Sequence, residues 1–528
     1  MFLTIKRAKN KDGSVREYAC ICETERVGKR VQQRVVATLG RVDHLSSHEL
    51  LRLAQSLQDL AEGKLKLHRA RGEALRAHTA KVWGPCVVFD HLFRELGVWN
   101  VLEQAKRERA LGFPLTEAVF LMVLNRLLAP DSKRQVHEWR RTVYGPAFEG
   151  VELHHLYRAL DVLCEMKDRI EAKLFAQART ILGLDVSLVL WDTTSTYFEG
   201  KGPEGLAAFG HSKDARPDRT QVVIGVLMSG EGIPIAHEVF PGNTADVVSF
   251  RQAIEVARTR FGLRRVVFVA DRGMVSEDIL EGLREAKLEY IVGVRMRQDA
   301  NGYAALVQGG RYHKVAENLL VKETKVAEDR YIVCLNPIRR EHDRRVRRET
   351  LARLREAIRK GRVRALIGHS GYRRYLKLSG SVGVDEERIR EERRFDGKWV
   401  LRTNSTLSAE QVAVAYKSLW QVERVFRRLK SGLLLRPIYH WTEERVRGHI
   451  VVCFLAFVLE TMLRRYLLRK APGLSYRKAL ESLREIFAVE VSVEGIRYLC
   501  RTDLSREASQ VFRALGRRPP GYVTRIDR

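Results

Sequence analysis

The sequence predicts an α/β protein: an α/β core interrupted by a large mixed insertion, preceded by a small β meander and a helical region. Three observations predict it. Residues 2–42 alternate apolar and polar side chains, the period of a half-buried strand. Residues 46–180 carry the helical period instead, as in TEAVFLMVLNRLL from Thr116 to Leu128. From Val186 onward, short apolar runs alternate with helical stretches, the pattern of a sheet covered by helices.

The elements follow in order. The first segment, 1–45, reads as an antiparallel meander with a turn at Lys11-Asp12-Gly13. The second, 46–180, reads as a helical region, to which the charge excess of the chain assigns DNA contacts. Within 185–297, VSLVLWD, QVVIGVLM and IPIAHEVF are strands, a helix spans Ala245 to Arg260, RVVFVAD is a strand, a helix follows Ser276, and YIVGVRM is a strand. Residues 298–397 are more polar and carry the cation-rich helix 338–361, so they form the insertion. The α/β core resumes over 398–470 with the strand GKWVLRTN and one long helix capped by Ser408. A C-terminal helical region, 471–528, closes the chain.

Charge narrows the function. The 528 residues hold 94 Lys and Arg against 65 Asp and Glu, a net charge of +29. Such an excess in a chain long enough for a sizeable core favours a polyanionic partner, nucleic acid first. Seven scattered cysteines without CxxC or finger spacing, and no HExxH, indicate neither a disulfide framework nor a structural zinc site. The apolar run from Ile450 to Leu467 is interrupted by Glu460 and reads as a buried helix, not a membrane span.

Two apolar runs stop at an acid, Asp192 after Val186–Trp191 and Asp271 after Val266–Ala270. Runs of this kind are central strands, and open α/β sheets place ligands at strand carboxyl ends. Two carboxylates there can share a hard cation such as Mg²⁺, which takes oxygen ligands and substrate phosphates. Each aspartate alone could equally cap a turn. A third carboxylate, Glu423, stands in YKSLWQVERVFRRLK among Lys417, Arg424, Arg427, Arg428 and Lys430. In one continuous helix Tyr416, Glu423 and Lys430 recur every two turns, about 10.5 Å apart, on nearly one face. That row suits a metal ligand flanked by a phosphate-binding ammonium and a phenol. The alternative is a basic amphipathic helix whose core side is Leu419, Val422, Phe426 and Leu429.

These residues resemble a family. Asp192, Asp271 and Glu423 are similar to the acid triad of the DDE transposases of bacterial insertion sequences, which have an RNase H-like, integrase-type catalytic core. One group of them carries a Tyr, Arg, Glu, Lys signature in the segment of the third acid. Tyr416, Glu423 and Lys430 match its spacing, while Leu419 stands where the Arg is expected. HSKDARPD from His211, VADRGMVSEDIL around Asp271, GKWVLRTN, and LKSGLLLRPIYH with His449 extend the resemblance over about residues 185–465. The N-terminal 180 residues resemble the family only in general style.

The resemblance implies Mg²⁺-dependent strand cleavage at the element ends and transfer of the 3′-hydroxyl into target DNA. Two ions are implied, held by Asp192, Asp271 and Glu423, with Mn²⁺ able to substitute. It also implies binding to terminal inverted repeats and a homodimeric synaptic complex in the bacterial cytoplasm, at the nucleoid and away from membranes.

Tyr416, Lys430, Arg424, Arg427, Lys213, Arg216 and Arg272 are the expected DNA contacts. For Lys213, Arg216 and Arg272 a solvated loop or an ordinary ion pair is the competing reading, and Trp399 and Trp420 are read as core more readily than as base platforms. Two other functions share the composition: a structure-specific metal-dependent nuclease and a non-enzymatic basic DNA-binding protein.

Overall fold

A computed structural model describes residues 1–9, 15–27, 30–47, 50–51, 54–55, 58, 76–183, 186–263, 267–271, 274, 276–361, 370–377, 383–493 and 496–526. The expected turn at 11–13 and Arg272 lie outside the described residues. The chain divides into two compact units, one of Met1–His78, Glu490–Leu499 and Arg525–Arg528, the other of Thr79–Val489 and Cys500–Thr524.

The first unit contains the expected meander. Strands β1 (Phe2–Lys9), β2 (Val15–Val27) and β3 (Arg30–Arg41) pair antiparallel in that order, with Phe2 opposite Cys22 and Tyr18 opposite Arg41. Ala19, Cys20 and Cys22 are buried, and all seven cysteines of the chain are free thiols. The strand β4 (Arg76–Val82) follows, which the helical reading of 46–180 does not include.

The second unit opens with helices Gly84–Glu95, Val98–Glu108, Leu115–Leu128, Lys133–Trp139 and Leu153–Leu182. The apolar helix Glu443–Lys470 packs between Leu115–Leu128 and Leu153–Leu182. It is the one described helix long and apolar enough to cross a membrane, and 94% of its apolar window is buried inside the protein. Burial against helices, at about 25 cal/mol per Å² of apolar surface, accounts for this composition without lipid.

The sheet of this unit has nine strands. Third from one edge is β5 (Leu188–Tyr197), joined antiparallel to β6 (Gln221–Ser229), which pairs with the edge strand β7 (Pro234–Pro241). On the other side β8 (Val267–Ala270) and β9 (Glu289–Gly293) run parallel to β5. Every residue of β6 and β8 is buried, as strands covered on both faces must be. The Cα of Gly225 lies under Trp191: a Cβ there would come within 2.2 Å of the indole, so only glycine lets this buried ring cross to the neighbouring strand.

The insertion does not stand apart as a separate layer. Its strands β10 (His313–Ala316), β11 (Leu319–Val326) and β12 (Asp329–Leu335) continue the same sheet, because β12 pairs with β15 (Lys398–Thr403) and β15 with β9. The expected cationic helix spans Pro337–Arg359 and buries Leu351 and Leu354, with Ile358 partly covered, against Tyr375, Leu376 and Ile389. Its Arg347 enters that side to form a buried bidentate pair with Asp396. Two short strands, β13 (Leu376–Lys377) and β14 (Gly383–Val384), complete the insertion.

The C-terminal segment is not purely helical. Helices Tyr476–Arg484 and Arg506–Ala514 flank β16 (Phe487–Val493) and β17 (Ile496–Arg501), and β18 (Val523–Arg525) follows. FAVEVSV and IRYLCR are rich in β-branched and aromatic residues, a strand signal that the helical reading passed over.

Candidate active site

Asp192 does not end its strand. β5 runs on to Tyr197, because Thr193, Thr194, Ser195 and Thr196 are β-branched or small and continue the ladder with Gly225, Ile224, Val223 and Val222. Only the pairing with β8 stops short. Leu188, Val189 and Leu190 lie beside Val267, Phe268 and Val269, so the same parallel register, carried two residues further, sets Asp192 beside Asp271. The two acids are therefore neighbours where β8 ends and β5 continues, and Asp271 is felt electrostatically at Asp192.

The environment of Asp192 is electrostatically unbalanced. Burial pushes its carboxyl up to about 6. Lys213 and the backbone N–H of Thr193, which donates to Oδ1 at 2.7 Å, oppose that rise, while Asp271 and Asp246 add to it. Lys213 donates from Nζ to the Thr193 carbonyl at 2.8 Å and to its hydroxyl at 3.0 Å, and stands 3.8 Å from Asp246. The Thr193 hydroxyl in turn donates to Asp246 Oδ1 at 2.6 Å. Asp246, the first residue of the helix Asp246–Thr259, is an acid of this site that sequence reasoning missed; an acid in a helix first turn is too common to single out.

The segment of the third acid is not one helix. Ser408 caps it as expected, with its side chain and that of Gln411 forming a reciprocal capping box. The helix Ala409–Lys417 then stops, and Trp420–Arg427 begins after Ser418 and Leu419. Ser418 donates its hydroxyl back to the Val414 carbonyl at 3.2 Å, a contact that bends helices. A π-turn, Arg428–Gly432, ends the run. These two irregularities remove the single face predicted for Tyr416, Glu423 and Lys430.

Each residue consequently has its own setting. Tyr416 donates its hydroxyl to Asp271 Oδ1 at 2.6 Å. Glu423 is exposed on a helix that packs against β5 through its buried face, Val422, Val425 and Phe426. Lys430, expected on a phosphate, is buried and donates to Asp214 Oδ1 at 2.7 Å; Arg436 approaches the same oxygen at 2.5 Å. The π-turn rotates Lys430 inward, and only the fold reveals its partner in the HSKDARPD loop.

Leu419, at the place of the signature Arg, packs against the main hydrophobic cluster. Arg424 and Arg427 are exposed, and Arg428 is held by the buried Glu460 at 2.7 Å. Arg216 forms a fork with Asp218 at 2.8 and 2.7 Å, the ordinary ion pair weighed against a DNA contact. Trp399 packs on the core as expected, but Trp420 is 54% exposed.

Three acids elsewhere come closer together. Among the described residues, Asp168, Glu171 and Glu238 are the one group of His, Cys, Asp or Glu with ligand atoms all within 4.8 Å. Cations already occupy it: Lys167 lies 2.8 Å from Glu238, and Arg260 lies 2.8 Å from Glu171 and 3.0 Å from Glu238. His237 is 2.7 Å from Glu171. Such a set is an ion-pair network tying the helix Leu153–Leu182 to β7, with no carboxylate left for a metal. Asp192, Asp271 and Glu423 all offer the oxygen that a hard divalent cation takes, but their ligand atoms do not all lie within 4.8 Å of one another.

The transposase DDE domain model matches residues 185–459, and the N-terminal domain model of the IS1634 family transposases matches residues 3–71. Curated proteins yield no match. The first of these matches covers more than half of the chain and brackets Asp192, Asp271 and Glu423, and the second accounts for the N-terminal meander: the chain belongs to the DDE transposases of insertion sequences.

Proposed function

We propose that this transposase cleaves DNA at the ends of its element and joins the freed 3′-hydroxyls to target DNA, with Asp192, Asp271 and Glu423 holding two Mg²⁺ ions. The observation that carries the reading is the register that sets Asp271 beside Asp192, with Tyr416, from the segment of the third acid, bonded to Asp271. The order β7-β6-β5-β8-β9, an antiparallel meander followed by strands parallel to β5, supports an RNase H-like core. Tyr416, Glu423 and Lys430 support membership of the signature group described above.

Bound divalent ions supply Lewis acidity at the scissile phosphate and activate the attacking oxygen. The chain supplies the rest. Tyr416 fixes the rotamer of Asp271, and Lys213 offsets negative charge around Asp192. Exposed Arg424 and Arg427 attract the phosphate backbone. In cleavage, a water oxygen bonds to phosphorus, the P–O3′ bond breaks, and the departing 3′-oxygen takes up a proton. In transfer, that 3′-hydroxyl loses its proton and bonds to a target phosphorus, and the target's own 3′-oxygen leaves. Terminal inverted repeats as substrate and a homodimeric synapse complete the reading.

The test is a labelled duplex carrying one element end, incubated with target DNA and Mg²⁺. Cut and joined products are expected, and both should vanish in Asp192→Asn, Asp271→Asn and Glu423→Gln. Cutting without joining would replace the reading by a nuclease, and binding without cutting under any divalent ion by a non-enzymatic DNA-binding protein.

A further inference from the structure

A cavity of about 670 Å³ lies between the end of the helix Leu115–Leu128, the start of Lys133–Trp139, and the loop that leads into Glu443–Lys470. Two cations in its wall are buried. Arg126 and Lys133 are each 4% exposed. Arg126 spends its guanidinium on backbone carbonyls, those of Leu433 at 3.3 Å, Leu434 at 3.1 Å and Asp131 at 2.7 Å. Among the described residues, Lys133 has one hydrogen-bond partner, His449 Nδ1 at 3.3 Å. Burial and the two cations hold His449 well below its usual pKa, so its ring is neutral and accepts one of three ammonium hydrogens.

Among the described residues, no carboxylate lies within the 4.0 Å of an ion pair from either cation. Among the other described buried cations, Lys430 is matched with Asp214, Arg347 with Asp396 and Arg402 with Asp329, while Lys322 donates to the Gln308 carbonyl away from this cavity. Asp131 is the acid in this cavity wall, and its Oδ1 is taken by the Ser132 N–H at 2.6 Å. A buried ammonium without a counter-charge costs several kcal/mol, so sequences retain it where an anion repays the cost. The mouth carries Tyr439 and Trp441, 63% and 69% exposed, flat apolar faces of the kind on which a base or sugar rests.

We propose that this cavity is a phosphate-binding site, separate from the three acids, in which Lys133 and Arg126 face the phosphate of a nucleic acid strand or of a nucleotide. Its volume exceeds that of a lone oxyanion and admits the rest of a nucleotide unit. The cavity is built from the helical segment and the RPIYHW loop together, so a phosphate held there links 115–139 to the segment that follows the third acid.

The test uses the full chain. Inorganic phosphate, titrated at constant ionic strength and pH 6.5, should raise the Tm of the wild type saturably and leave that of Lys133→Met unmoved. An equal response in both, or none in the wild type, overturns the site. A second measurement needs no variant: phosphate should protect Lys133 from reductive methylation, read by mass spectrometry, at least fivefold more than distant lysines. Absence of protection overturns the proposal. The source is separated by repeating the protection with a duplex and with dAMP. Protection by duplex, with the slope of log K against log salt smaller by about 1 in Lys133→Met, assigns a DNA phosphate. Protection by dAMP alone assigns a free nucleotide.

Discussion

Tyr416 Oη and Asp271 Oδ1 stand 2.6 Å apart, so the segment of the third acid is hydrogen-bonded to the second acid. A hydrogen bond to a charged group contributes about 1.5–3 kcal/mol. Tyr416→Phe keeps the ring and removes this bond. Cleavage should fall roughly 10-fold to 100-fold, the same free energy in rate, with Tm nearly unchanged. An unaltered rate would make Tyr416 a packing residue.

Metal binding should be visible without DNA. A ligand that binds only the folded state stabilises it in proportion to the logarithm of its concentration. Mg²⁺ or Mn²⁺ should therefore raise the wild-type Tm, by a few degrees at saturating metal. Asp192→Asn and Asp271→Asn should lose that rise, whereas Glu171→Gln should keep it, because Glu171 belongs to the network filled by Lys167 and Arg260.

Asp214 shares one buried oxygen between Lys430 and Arg436. Asp214→Asn leaves two cations without their acid and should cost about 3–5 kcal/mol, as breaking a buried pair does. Lys430→Met leaves Asp214 with Arg436 and should cost less. Chemical denaturation orders the two variants, and the reverse order would dismiss Asp214 as the anchor.

Lys133 gives the fold a pH dependence. Its pKa is lowered to about 7 from 10.5, by burial first and by Arg126 second, with Cys453 opposing weakly. Between those values the unfolded chain holds a proton that the folded chain lacks, so this contribution to stability rises with pH. The penalty is complete below pH 7 and gone above 10.5. Lys133→Met should be more stable than the wild type at pH 7, by up to roughly 5 kcal/mol, with the difference closing by pH 10. Denaturant midpoints of both proteins in phosphate-free buffer measure it.

Gly225→Ala sets a methyl against Trp191, one residue before Asp192. Overpacking of this kind costs about 1–3 kcal/mol. Stability and cleavage should fall together, and Gly225→Ala with Trp191→Phe should recover part of both.

Local pattern determined much of this protein. The meander, β5 to β9, the helix after Ser408 and the buried helix through Glu460 were legible because strand and helix periods and caps are properties of neighbouring residues. Asp192, Asp271 and Glu423 were legible as candidates because acids after apolar runs, and one acid among arginines, stand out without knowledge of the fold.

Tertiary structure decided what they touch. β5 outruns β8, so Asp192 sits inside a strand and still meets the residue after β8; only the register between two strands far apart in the chain shows that. Ser418 and the π-turn redirect Tyr416 to Asp271 and Lys430 to Asp214. The insertion strands join the main sheet through β15 because their unpaired edge finds a partner there. Lys133 met His449, without a counter-charge, across 316 residues of chain. Spacing within one helix or strand is written locally, but partners across the sheet depend on which long-range pairings bury the most surface, and no window of sequence contains them.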